Sequence, residues 1–290
     1  MSKTLKEKSW RKKYWASLEA KRAERSATFG CEEFIENEWR GERRDYENNP
    51  EEFRKGLQDG LDKCRQKIDS DLQSGAMEIA QESTDPTIRK LQNIIDDLAQ
   101  NSGMLNFSPK LIICKKNATS HDYDSLHEKI ASVPLPDFIV TTTKRIEYFQ
   151  RHPKQFKQCA AHELAHIING DMRIENYVKR LINPPNHKEE VLAERMGTII
   201  FGNPKEYARL ITKMQPPGKG SKEHVHWSTH LSTNGNTRML HKWADILERA
   251  GVTDPITGDI TDREKALDIF KISKDFAEYS FKDNQITRPR

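Results

Sequence analysis

The stretch AAHELAHIINGDM, Ala160 to Met172, places two histidines four residues apart in an otherwise apolar segment. On an α-helix, positions i and i+4 lie one turn apart on the same face. His162 and His166 can therefore aim both imidazoles at one ion, and the intervening turn sets the bite. Pro153 upstream and Gly170 just downstream suit the start and end of such a helix. Glu163 sits about 100° around the helix from His162, beside an ion rather than on it. There its carboxylate can take a proton from a water held at the metal and return it to a leaving amine. Zinc in such a set supplies Lewis acidity and lowers the pKa of the water.

A third ligand is needed. Glu190 follows His166 by twenty-four residues, in KEEVLAERMG, which is itself a helical pattern. Glu190 and Glu194 share a face by the same spacing rule. One carboxylate can bind zinc while the other holds a ligand histidine by its remaining N–H. Acidic pairs of this kind also suit a solvated face, but the two histidines upstream favour a metal set. Two histidines and a glutamate leave one coordination position open, as catalytic zinc sites do. The expected site is one Zn2+ per chain on His162, His166 and Glu190, with His187 and Glu189 as the nearest rival ligands.

These segments resemble the HtpX-like zinc peptidases, a family that also includes the type I CAAX prenyl endopeptidases and small soluble members. The family's active helix reads AHExxHxxNGD, and AHELAHIINGD matches it from Ala161 to Asp171. Its third-ligand helix reads ExxAD; EVLAE, Glu190 to Glu194, is similar, with Glu in place of Asp. KKNATSHD and DFIVTTTKRIEYF resemble the elements upstream of the active helix. STHLSTNGNTR resembles the THPxxxxR segment downstream, with Leu231 in place of proline and Arg238 two residues farther along. The resemblance covers about Asp85 to Gly251. It implies a gluzincin endopeptidase core, mainly α with a small sheet (α+β), whose edge strand aligns extended substrate. It also implies that His230 or Arg238 approaches the oxyanion of the tetrahedral intermediate, and that Glu194 and Asp171 support the ligands from behind. His224 and His226 have no counterpart in the family pattern.

The rest of the chain differs in texture. Residues 1–85 read as charged helices with sparse apolar stripes, among them Phe53, Leu57, Leu61 and Cys64 after Pro50. This region has no part in the family pattern, so a division is expected into a charged helical region at 1–85, a peptidase domain at 86–251, and a C-terminal helix and tail at 252–290. QESTDP, Gln81 to Pro86, reads as the joint. The strands expected are KLIIC and DFIVTTT. Over residues 1–25, nine Lys and Arg face three Glu, and Trp10, Tyr14 and Leu18 form a stripe flanked by that charge. A basic amphipathic helix of this kind can dock on a partner or an anionic surface, though such a stripe more often packs on neighbouring helices.

Composition narrows the class. The chain has 290 residues, 32% charged and 35% hydrophobic, with a formal net charge of +4, too small for the whole chain to read as a nucleic-acid binder. No apolar run approaches the ~18 residues needed to span a bilayer, and no secretory signal opens the sequence. Cys31, Cys64, Cys114 and Cys159 form no CxxC pair, which fits a reducing compartment. A cytoplasmic zinc metalloendopeptidase acting on a protein or peptide substrate is the leading expectation. The alternative is a non-catalytic regulatory or binding protein on the same fold, its basic helical arm docking on nucleic acid or an anionic membrane. Glu163 argues against that alternative, because a structural zinc needs no base.

Overall fold

The computed structural model describes residues 42–116, 132–171, 173–182, 188–214 and 233–272. The described part is mainly helical with one small sheet, as expected. Its helices are α1 (Pro50–Gln73), α2 (Pro86–Ser102), α3 (Thr143–Arg151), α4 (Pro153–Asn169), α5 (Ile174–Ile182), α6 (Lys188–Phe201), α7 (Pro204–Met214) and α8 (Thr233–Arg249), with further helical segments at 42–48 and 263–272. The strands are β1 (Met77–Ile79), β2 (Lys110–Cys114), β3 (Ser132–Leu135) and β4 (Phe138–Thr142).

The helix starts follow from local chemistry. Asn49 Oδ1 accepts from the Glu52 amide at 3.2 Å, and Pro50 takes the first helical position of α1. Asp85 caps α2 in the same way, accepting from the Thr87 amide at 2.7 Å, with Pro86 next in line. Pro153 opens α4 directly after His152, the residue that ends α3. Each device satisfies or removes an amide that the first turn leaves without an intrahelical partner.

The sheet order is β1-β2-β4-β3. β2 and β4 run parallel, with Ile112 opposite Val140; β1 and β3 add antiparallel edges. Alternation along β2 sends Leu111 and Ile113 to one face and Ile112 and Cys114 to the other. Both faces are covered, so LIIC reads as an unbroken apolar run rather than an alternating one. The front face, with Ile139, joins the main core built from α2, α3, α4, α6, α7 and α8. The back face, with Phe138 and Val140, packs against Ile68, and partly against Leu61, Cys64 and Leu72, of α1.

This second core ties part of the expected charged region to the segment that follows it: α1 covers the back of the sheet, and β1 pairs with β2 through Met77 opposite Cys114. Ala80, just before the expected joint, is fully buried in the main core; within Gln81 to Pro86, Ser83 is buried and Gln81, Glu82, Thr84 and Pro86 are exposed. The narrow stripe on α1 is narrow because it faces four short strands, not a second helix layer. The lower boundary at 252 is crossed too, since Val252, Ala266 and Phe270 belong to the main core. Residues 1–41, with the Trp10–Leu18 stripe, and the tail beyond 272 lie outside the described residues.

β4 runs straight into α3, and α3 into α4, so the sheet leads directly to the active-helix candidate. α4 makes its most extensive contact with α6. Cys159, Ala160, Ala161, Leu164 and Ala165 are buried along α4. Four of those five are small, which lets the α6 backbone come near. α8 is tied to α6 by the indole N–H of Trp243, which donates to Thr198 Oγ1 at 3.0 Å. Among the described residues, no helix is long and apolar enough to cross a membrane.

Candidate metal centre

α4 and α6 face each other with the three expected ligands on the shared side. His162 Nε2 and His166 Nε2 lie 3.1 Å apart. Glu190 Oε2 is 3.4 Å from His162 Nε2 and 3.7 Å from His166 Nε2. These three side chains form the metal-capable group found among the described residues. For ligand bonds of about 2.0–2.2 Å, the edges of a tetrahedron are about 1.63 bond lengths, or roughly 3.3–3.6 Å. The observed triangle brackets that size, so the donor set fits a small tetrahedral ion.

The outer nitrogens decide the tautomers. Asp171 Oδ2 lies 2.7 Å from His166 Nδ1, and an ionised carboxylate can only accept. Nδ1 therefore carries the proton and Nε2 presents its lone pair inward. His162 Nδ1 faces Glu194 Oε2 at 3.6 Å. That arrangement turns the lone pairs of two imidazoles and a carboxylate toward one point, which is repulsive without a cation there. Protons feel the same demand. Burial pulls both imidazoles down, yet the carboxylates prevail: Glu194 and Glu190 hold His162 well above the usual histidine range, and Asp171 and Glu190 push His166 up to about 10.

Local backbone chemistry places Asp171. The helix α4 ends at Gly170, whose φ of 72° is left-handed. Its amide donates to Ile167 O and the Asp171 amide to His166 O, both at 3.0 Å. This closure folds the chain back under the last turn, so that the Asp171 carboxylate reaches the His166 ring. Asn176 Nδ2 donates to Gly170 O at 2.8 Å and secures the turn from α5.

Glu163 lies between the two histidines on α4 and is buried. The structure thus brings His162, His166, Glu190, Glu194, Asp171 and Glu163 into one neighbourhood. The expected oxyanion donors and rival ligands fall outside what is described: Arg238 lies in the first turns of α8 and Glu189 in the first turn of α6, their side chains not among those described, and His187 and His230 are outside the described residues.

Two further participants were missed in the sequence. Tyr207 on α7 is fully buried and donates its hydroxyl to Glu194 Oε2 at 2.7 Å. Gln158 on α4, one turn before His162, is buried near the same phenol. A signal for this was present: Gly197 sits inside a helical pattern, where glycine is unfavourable and marks close approach. A Cβ there would stand 2.7 Å from the Tyr207 hydroxyl oxygen.

The chain matches no protein-family model, no curated protein and no solved structure.

Proposed function

We propose that this chain is a zinc-dependent metalloendopeptidase that hydrolyses peptide bonds in a protein substrate. The observation that carries the reading is the triangle of His162 Nε2, His166 Nε2 and Glu190 Oε2, with edges of 3.1, 3.4 and 3.7 Å, beside a buried carboxylate, Glu163, that is not among the ligands. Membership of the HtpX-like family rests on the resemblance of AHELAHIINGD and EVLAE, and belongs to the same proposal, as does a cytoplasmic place of action.

Zinc, when bound, supplies Lewis acidity toward the scissile carbonyl and brings the pKa of a water toward neutrality. His162, His166 and Glu190 would hold the ion. Glu163 accepts the proton of the attacking water and delivers it to the departing amine. Asp171 and Glu194 keep the imidazole lone pairs directed inward. Substrate is aligned by β3, which is an edge strand and contacts α4; an extended peptide adds to such an edge through main-chain hydrogen bonds. His230 and Arg238 remain the candidates for the oxyanion.

The test is to incubate the zinc-loaded chain and its Glu163→Gln variant with a complex protein mixture and sequence the new termini. Termini generated by the wild type and missing with the variant support a peptidase. Identical patterns from both, with zinc bound in each, would leave a metal-bearing binding protein.

A further inference from the structure

The phenol of Tyr207 meets Glu194 at a point where three helices converge. Tyr207 comes from α7, Glu194 from α6, and both His162 and Gln158 from α4. The Tyr207 hydroxyl donates to Glu194 Oε2 at 2.7 Å, and that same oxygen is the one facing His162 Nδ1, at 3.6 Å. Glu194 and Tyr207 are both buried.

A glutamate carries one more rotatable bond than an aspartate, so its carboxylate can swing away from a histidine unless something fixes it. At 3.6 Å the contact with His162 is too long for a good hydrogen bond and cannot fix the group alone. The 2.7 Å phenol contact can. Gly197 is the enabling residue, because a methyl at that position would lie 2.7 Å from the hydroxyl oxygen and 3.2 Å from the ring carbon that bears it.

We infer that Tyr207 is a positioning residue for the metal centre: its hydroxyl orients the Glu194 carboxylate toward His162 Nδ1, and Gly197 exists in α6 to admit that hydroxyl. The inference rests on the zinc reading of the site. Outer partners of ligand histidines typically matter by 10–100-fold in metal affinity. Tyr207 acts one bond farther out, so its effect falls at the lower end, about tenfold.

The experiment measures zinc affinity of the full chain by competition with a chromophoric chelator, alongside thermal unfolding of the zinc-free protein. Tyr207→Phe is expected to raise the zinc Kd about tenfold while the chain stays folded. Ile211→Val, a change in the buried face of the same helix α7, lowers stability but leaves the Kd alone. Gly197→Ala poses the question without altering the tyrosine, and is expected to weaken zinc as Tyr207→Phe does, with a larger loss of stability. In the double variant, removal of the hydroxyl relieves the clash. Stability recovers relative to Gly197→Ala, while zinc affinity stays at the Tyr207→Phe level. An unchanged Kd in Tyr207→Phe, or wild-type affinity in the double variant, overturns the positioning role and leaves the zinc site standing. A wild-type chain that takes up no zinc overturns both.

Discussion

At the scale of single residues, the proposed function separates holding a metal from moving a proton. Glu163→Gln removes a base but no ligand. Zinc content and folding are expected to be retained while cleavage falls by roughly the 10²–10⁴-fold typical of general base loss, measured as turnover of a short unstructured peptide. Glu190→Ala removes a ligand and should weaken zinc retention by more than the roughly 10–100-fold lost with an outer partner. Glu189→Ala should leave it unchanged; a reversed order in metal analysis would reassign the third ligand. The metal-free protein carries a pH signature. His166, held near 10 by Asp171 and Glu190 against the pull of burial, binds its proton more tightly folded than unfolded. That contribution is fully present below the ordinary histidine value of about 6.5 and is lost as pH rises through about 10. With chelator present, the melting temperature should fall over this interval, and His166→Gln should flatten the fall. Spacing left Glu190 and Glu194 interchangeable, but the pairing of His162 with His166 was legible from it alone, because a helix converts i, i+4 into one face. Tyr207 was not, since nothing in PKEYARLITKM says which helix it will meet.

Elements differ in how much of themselves they announce. α1, α2 and α4 declare their starts through Asn49, Asp85 and the prolines that follow a cap or a helix end. Gly170 does more than end α4, because its left-handed turn delivers Asp171 to His166. Gly170→Ala forces a side chain into φ 72°, with Asn176 Nδ2 3.0 Å and Arg173 Cδ 3.1 Å from the new Cβ. A stability loss of about 1–2 kcal/mol is expected from the backbone alone. A weakened zinc affinity should accompany it, because the aspartate is displaced; denaturant unfolding and chelator competition on the same variant report the two effects separately. β1 and β3 were not foreseen. Three or four residues are too short to display an alternation, and Pro134 within β3 reads as a breaker unless the strand is known to lie at an edge. Their existence is set by partners: Met77 by Cys114, and Leu135 by Phe138.

At the scale of the whole molecule, the back face of the sheet decides where the chain can be cut. Ile112, Cys114, Phe138 and Val140 would meet water without Ile68, Leu61 and Leu72 of α1. A fragment beginning at Ser83 lacks both α1 and β1 and is expected to be insoluble or zinc-free. A fragment beginning at Glu42 retains every residue of both cores. It should melt cooperatively and bind zinc as the full chain does. Equal solubility and zinc uptake by the shorter fragment would restore the division at residue 85. If the basic stretch from Lys3 to Arg25 serves docking, its removal should change salt-dependent association and not peptide cleavage.

What the sequence determined by itself was the local frame: two histidines on one helix face at i and i+4, a glutamate between them, a second acidic helix, and caps that start the helices where they do. These depend on a few neighbouring residues and on the fixed geometry of a helix. Tertiary structure decided the rest, because it depends on which distant surfaces meet. The stripe on α1 could face a helix, a partner or a sheet, and only the parallel pairing of β2 with β4 creates the apolar back face that claims it. Glu190 and Glu194 could divide their roles either way by spacing. The tertiary structure groups Glu190 with His162 and His166, while Glu194 Oε2 accepts from the Tyr207 hydroxyl, which passes close to Gly197.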